Sequence, residues 1–154
     1  MKKNWFYLMM MLFAVAFVGC NDDDETYVEP QLDVTSHNIA GEWMLKSWSN
    51  GQELTEGTYL YMDLVRQDGT FKLYDNLNSF QAVLTTGRFA LVTNDEGQVI
   101  IRGEYDYGVG DWNHRYAITS LTASEMVWVA TDDATDVSVY VRTEIPAEVI
   151  AEAN

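Results

Sequence analysis

Cysteine, histidine, proline and basic residues are all scarce in this chain of 154 residues. A single cysteine, Cys20, excludes an intramolecular disulfide, so its thiol is free, joined to another chain or modified. Two histidines, His37 and His114, form no His-x-x-x-His pair, and there is no Cys-x-x-Cys, so the spacings that hold a metal are missing. A Gly-x-Ser-x-Gly elbow and a phosphate-binding glycine loop are absent as well. Glu104 and Asp106 fall on one face of an expected strand, within reach of acid–base work, but in so acidic a chain a solvated surface is the ordinary place for such carboxylates. No catalytic residue, metal ligand or cofactor is assigned. Nine bases stand against 24 acids, a formal charge of −15 that repels phosphate backbones and argues against nucleic acid as a partner.

The longest apolar run, Trp5 to Val18, follows Lys2-Lys3 and is too short to span a bilayer comfortably. A short basic start and an apolar stretch of this length make a secretory signal peptide. The run closes on Phe17-Val18-Gly19-Cys20, which resembles the lipobox of bacterial lipoproteins, with Phe17 where Leu is commoner. That resemblance implies cleavage after residue 19, acylation of Cys20 as the first mature residue, and attachment to a membrane through the lipid. A thiol nucleophile at Cys20 is then excluded; the competing reading is an uncleaved anchor or cleavage elsewhere. Behind it, Asn21-Asp22-Asp23-Asp24-Glu25 is a hydrated, self-repelling run that makes a poor cation cage. It resembles the surface-export signal of Bacteroidetes lipoproteins, which implies an outer-membrane protein facing outward. Residues 1–19 are thus read as leader, 20–37 as an acidic flexible tether, 38–146 as one domain and 147–154 as a tail, either a helical turn or a disordered end.

From Gly41 onward the chain alternates apolar and polar residues in short runs broken by turns. Strands are expected over Gly41–Ser49, Tyr59–Leu64, Thr70–Tyr74, Leu84–Thr93, Gln98–Tyr105, Trp112–Leu121, Met126–Thr131 and Val137–Glu144. Gln67-Asp68-Gly69 is a hairpin signal, Gly103 suggests a bend, and Pro146 ends the last strand. Residues 75–83 favour a loop or one helical turn. Eight strands joined in order by short turns suit an all-β, antiparallel up-and-down barrel, in which closure removes exposed edges; a sandwich or partly open barrel competes. An eight-stranded interior is either filled by side chains or wide enough for one small ligand.

Gly41-Glu42-Trp43 at the head of the first strand resembles the Gly-x-Trp of lipocalins, Gln67–Phe71 resembles the second-strand hairpin of bacterial lipocalin-like lipoproteins, and Tyr140-Val141-Arg142 resembles the last strand whose basic residue packs across the Trp. This resemblance spans about Ile39 to Glu144. It implies a barrel closed at its base by Trp43, with Gly41 and Arg142 as structural partners, and an interior suited to a small hydrophobic or amphipathic molecule. Alternation alone places Met62, Tyr116, Trp128 and Tyr140 toward such an interior, as candidate ligand-binding residues. Aromatic residues at Tyr59, Tyr61, Tyr74, Tyr105, Tyr107, Trp112 and Tyr116 exceed what a small core needs, so some belong to the mouth or outer wall. Against a ligand stands the chance that Phe71, Leu73, Phe89, Leu91, Ile118 and Trp128 fill the barrel, which favours a module that binds a surface protein instead. A hydrolase, the third reading, requires convergent acids in a cleft.

Overall fold

The computed structural model describes residues 27–49 and 51–154; the leader, Cys20 and the acidic run lie outside them. Eight strands close into a barrel: β1 (Gly41–Trp48), β3 (Leu60–Val65), β4 (Thr70–Asp75), β5 (Val83–Thr93), β6 (Val99–Tyr105), β8 (Tyr116–Leu121), β9 (Glu125–Ala130) and β10 (Val137–Arg142). Each pairs antiparallel with the next in the chain, and β10 returns to β1, with Trp43 opposite Arg142 and Leu45 opposite Tyr140. Two further strands of two residues, β2 (Gln52–Glu53) and β7 (Gly110–Asp111), extend β1 and β6. This is the expected antiparallel barrel. Its period-two pattern survives because one face of each strand is buried, so a slip of one residue would turn the apolar set outward.

The base is built around Trp43, which is fully buried. Gly41 precedes it at φ +112°, a conformation that side chains rarely adopt, and a Cβ there would lie 2.8 Å from an Arg142 guanidinium nitrogen. That guanidinium sits over the indole, 4.0 Å from carbon to ring centroid. It donates hydrogen bonds to the carbonyls of Asn38, Ala40 and Ala123 at 2.8–2.9 Å. The Trp43 Nε1–H donates to the Ile39 carbonyl at 2.8 Å. Ile39 ends a single helical turn, α1 (Ser36–Ile39), capped by the Thr35 hydroxyl and lying across the base. Leu64, Phe71, Leu121 and Met126 complete the sealed layer.

Two features differ from the sequence expectations, the docked segment and the start of the sixth long strand, and the structure decides between the alternatives left open for the tail. The segment expected as the end of a flexible tether is docked: the Gln31 side chain accepts from Ser120 and the Leu121 N–H, Glu29 accepts from Ser124, and the Leu32 N–H donates to the Leu121 carbonyl at 2.8 Å. The tail forms a helix, α2 (Ala147–Ala153), whose Val149 packs with Tyr74, Ala82 and Ile145 on the outer wall, over Tyr59 and Tyr61. That helix accounts for three of the surplus aromatics. The sixth long strand begins at Tyr116 rather than Trp112, because residues 112–115 leave the ladder: toward β6 the Trp112 N–H donates to the Gly103 carbonyl at 2.9 Å, and toward β9 the Arg115 carbonyl accepts from the Thr131 N–H at 2.8 Å. Residues 76–82 form bends, with no helical turn.

Candidate functional site

Away from the base, the barrel interior is open. A cavity of about 330 Å³ lies among β1, β3, β4, β6, β8, β9 and β10. Met62, Tyr116, Trp128 and Tyr140, the four residues that alternation pointed inward, all line it. Leu45, Leu60 and Leu73 supply aliphatic surface, and Tyr105 and Trp112 add rings. Of the residues named as able to fill the barrel, Phe71 and Ile118 are buried in the core, while Leu73 and Trp128 border the open space.

The aromatic rings form a chain of contacts. Trp128 lies 4.8 Å from Tyr140, 5.6 Å from Tyr116 and 5.8 Å from Trp112, and Trp112 reaches Phe71 at 5.1 Å, all between centroids. Such tilted and edge arrangements are favourable for ring quadrupoles. Trp112 fits because position 103 is glycine: a Cβ there would fall 2.1 Å from the indole Cε2. Gly103 is therefore a seat for an indole, a role that differs from the bend expected of it. Gly87 similarly makes room for the Phe71 ring.

Two polar atoms in this wall lack partners. The Nε1–H groups of Trp112 and Trp128 are buried without a hydrogen bond, each at a desolvation cost of about 1–3 kcal/mol. Burial pushes the phenol of Tyr116 up to about 12, with Asp136 adding to the shift, and raises that of Tyr140 further. Both hydroxyls thus stay protonated and uncharged across physiological pH. Polar groups collect at the mouth, where Ser49, Asn113, His114, Asp136 and Ser138 border the cavity. There the His114 Nδ1 lies 2.8 Å from the Asp132 carboxylate, linking the β7–β8 and β9–β10 loops. This hydrogen bond raises the histidine pKa and lowers that of Asp132, with Asp136 and Asp133 also favouring the charged imidazole.

No hydrolytic constellation converges in the cavity. Glu104 is exposed on β6, whereas Asp106 begins a turn of 3-10 helix and accepts from the Thr86 hydroxyl at 2.6 Å, so the two carboxylates do not share a strand face. Among the described residues, no group of three His, Cys, Asp or Glu side chains is placed to hold a metal ion. Trp112 and Tyr105, two of the surplus aromatics, are interior residues that alternation does not single out; the sequence signal for Trp112 is the glycine at 103, which leaves a gap on the inward face of β6.

Residues 39–128 match the family model described as a lipocalin-like domain. Among solved structures, a lipocalin-like protein from Bacteroides uniformis aligns with a TM-score of 0.50 at 14% identity, covering 69% of this chain and 99% of that one. Bovine odorant binding protein, solved in complex with undecanal, aligns with a TM-score of 0.35 at 14% identity, covering 80% of this chain and 83% of that one. Among curated proteins, none matches the chain.

Proposed function

The chain belongs to the lipocalin-like domain family, and we propose that it is a membrane-anchored lipoprotein whose barrel binds a small hydrophobic or amphipathic molecule. The observation that carries this reading is the cavity itself: about 330 Å³ of space beside Trp128, Tyr140, Met62 and Tyr116, above a base sealed by buried side chains. Space lined by rings and aliphatic chains, with a few polar groups at one end, is the usual composition of a small-molecule site. The uncharged phenols and the absence of any Lys or Arg from the lining suit a ligand whose inserted part is apolar. Binding is non-covalent, and no catalytic step is assigned.

Anchoring rests on the sequence: Cys20 at the end of a lipobox-like motif becomes the lipidated first residue, and the acidic run behind it directs the protein to the outer face of the outer membrane. Labelled palmitate should enter the wild-type protein and not Cys20→Ser; equal labelling removes the anchor from the proposal. The docking of residues 29–34 at the barrel base supports a lipid attachment on that side of the barrel, away from the open end.

Native mass spectrometry of the purified protein tests the ligand reading. A co-purifying molecule should be present in the wild type and lost from Leu73→Trp, which fills the cavity with an indole. Retention of the same mass by a folded Leu73→Trp protein places that molecule elsewhere. A second reading, docking to a surface protein, draws on Phe80 and Tyr107, which are fully exposed, and on Val109, which is largely so.

A further inference from the structure

The barrel wall is interrupted at one place. β6 pairs with β8 only at Ile100–Ala117 and Ile101–Tyr116, and β7 takes up the far end of β6 at Glu104 and Tyr105. Between them, at Arg102 and Gly103, the ladder gives way to the single Trp112–Gly103 backbone bond, and the Trp112 indole lies on the glycine. No side-chain hydrogen bond fixes that indole, whose Nε1–H is unpartnered; packing against Gly103, Phe71, Tyr116 and Trp128 holds it. At this point a side chain closes the wall in place of a continuous ladder.

Outside the same point is a depression of about 250 Å³, bordered by Arg88, Arg102 and Arg115. Trp112 and His114 line both this depression and the internal cavity, so the two spaces share a wall. The chain carries only nine bases against 24 acids, yet three arginines gather here. Glu104 and Asp111 border the depression too, and Glu104 stands opposite Arg88 in the β5–β6 register. Neither carboxylate closes an ion pair with these arginines: among the described residues the ion pairs are Lys46–Glu125 and His114–Asp132. A guanidinium presents a fork of donors matched to the oxygens of a carboxylate, phosphate or sulfate. The barrel mouth offers the opposite field, with Asp132, Asp133 and Asp136 near His114.

We infer that the ligand is an amphiphile with an anionic oxygen headgroup, its apolar chain in the barrel and its head on Arg88, Arg102 and Arg115, passing through the wall where Trp112 swings off Gly103. This rests on the ligand-binding reading above and adds the charge and position of the head. An anionic head at the mouth would meet the aspartates; at the arginines it meets a cationic cluster beside the cavity. Displacing the indole also exposes its buried Nε1–H to an acceptor.

The test is a tryptophan-fluorescence titration of the protein with decanoate, decanol, decyltrimethylammonium and inorganic phosphate. Decanoate should bind about tenfold tighter than decanol, the scale of one charge-assisted contact. The exposed pair of substitutions Arg102→Gln and Arg115→Gln should erase that preference and leave decanol binding unchanged, while Glu104→Gln should strengthen decanoate. Decanol binding as tight as decanoate, or tighter binding of the cationic amphiphile, overturns the headgroup assignment and leaves the apolar cavity standing. Phosphate binding as tight as decanoate overturns the passage into the barrel, since the head alone then accounts for affinity. Binding of none of the three amphiphiles overturns the ligand reading and this inference with it.

Discussion

The two ends of the barrel use the same residue types to opposite effect. At the base, Trp43 is sealed, its N–H bonded to Ile39, and Arg142 saturates three carbonyls while covering the ring. At the open end, Trp112 and Trp128 are packed against other rings with both N–H groups unpartnered, beside space and a polar border that includes Asp136. A saturated aromatic cluster resists change and fixes the fold. An unsaturated one beside a cavity carries a cost that an incoming acceptor relieves. The contrast separates a structural end from a binding end without reference to any ligand.

Substitutions at the base should therefore act on stability first. Trp43→Ala is expected to cost about 3–5 kcal/mol, the range for emptying a buried aromatic site, read from the denaturant midpoint. A cost near zero would mean that the base is not the sealed layer described here. Arg142→Ala should cost about 2 kcal/mol, because three carbonyls lose charged donors and the indole loses its cover. At the open end Trp128→Phe should shift stability by less than about 1.5 kcal/mol, since the lost ring volume is offset by removing an unpartnered N–H. A larger loss there would erase the distinction between the ends.

The smallest effect concerns the mouth. His114 is raised above its ordinary 6.5 by Asp132, so its contribution is complete below that pH and disappears as pH rises through the raised value. Asp132 is lowered below its ordinary 3.8, so its contribution is present above that pH and disappears as pH falls through the lowered value. The link between the two loops is thus whole from about pH 3.8 to 6.5. An NMR titration of the His114 ring should give a midpoint above 6.5 that falls in Asp132→Asn. An unchanged midpoint would remove Asp132 as the cause.

Much of this architecture was legible in the sequence because alternation reports burial directly. The runs around Met62, Trp128 and Tyr140 each expose one face to the interior, and all eight long strands followed from such runs. Gly41 and Trp43 were legible as a pair through their resemblance to the Gly-x-Trp of lipocalins, and the structure supplies the reason: the backbone at Gly41 and the space for Arg142 both demand glycine. What escaped was structure set by partners distant in sequence. Residues 29–34 read as linker because their bonds are to the turn around residues 120–124, some 90 positions away. The C-terminal helix has one buried residue, Val149, too little for a helical stripe. Trp112 read as the start of a strand because nothing local says that its ring lies on Gly103, and the arginine cluster exists only where β5, β6 and β8 meet.

The contrast between the two ends is tested most directly by methyl NMR of the methionines during titration with decanol. The folded domain holds three: Met62 on the cavity wall, Met126 in the sealed base and Met44 on the strand opposite Tyr61 of the outer wall. The Met62 methyl should shift with ligand while Met126 and Met44 stay in place. Movement of Met126 or Met44 with Met62 unmoved, or no movement at saturating decanol, would contradict a binding site at the open end.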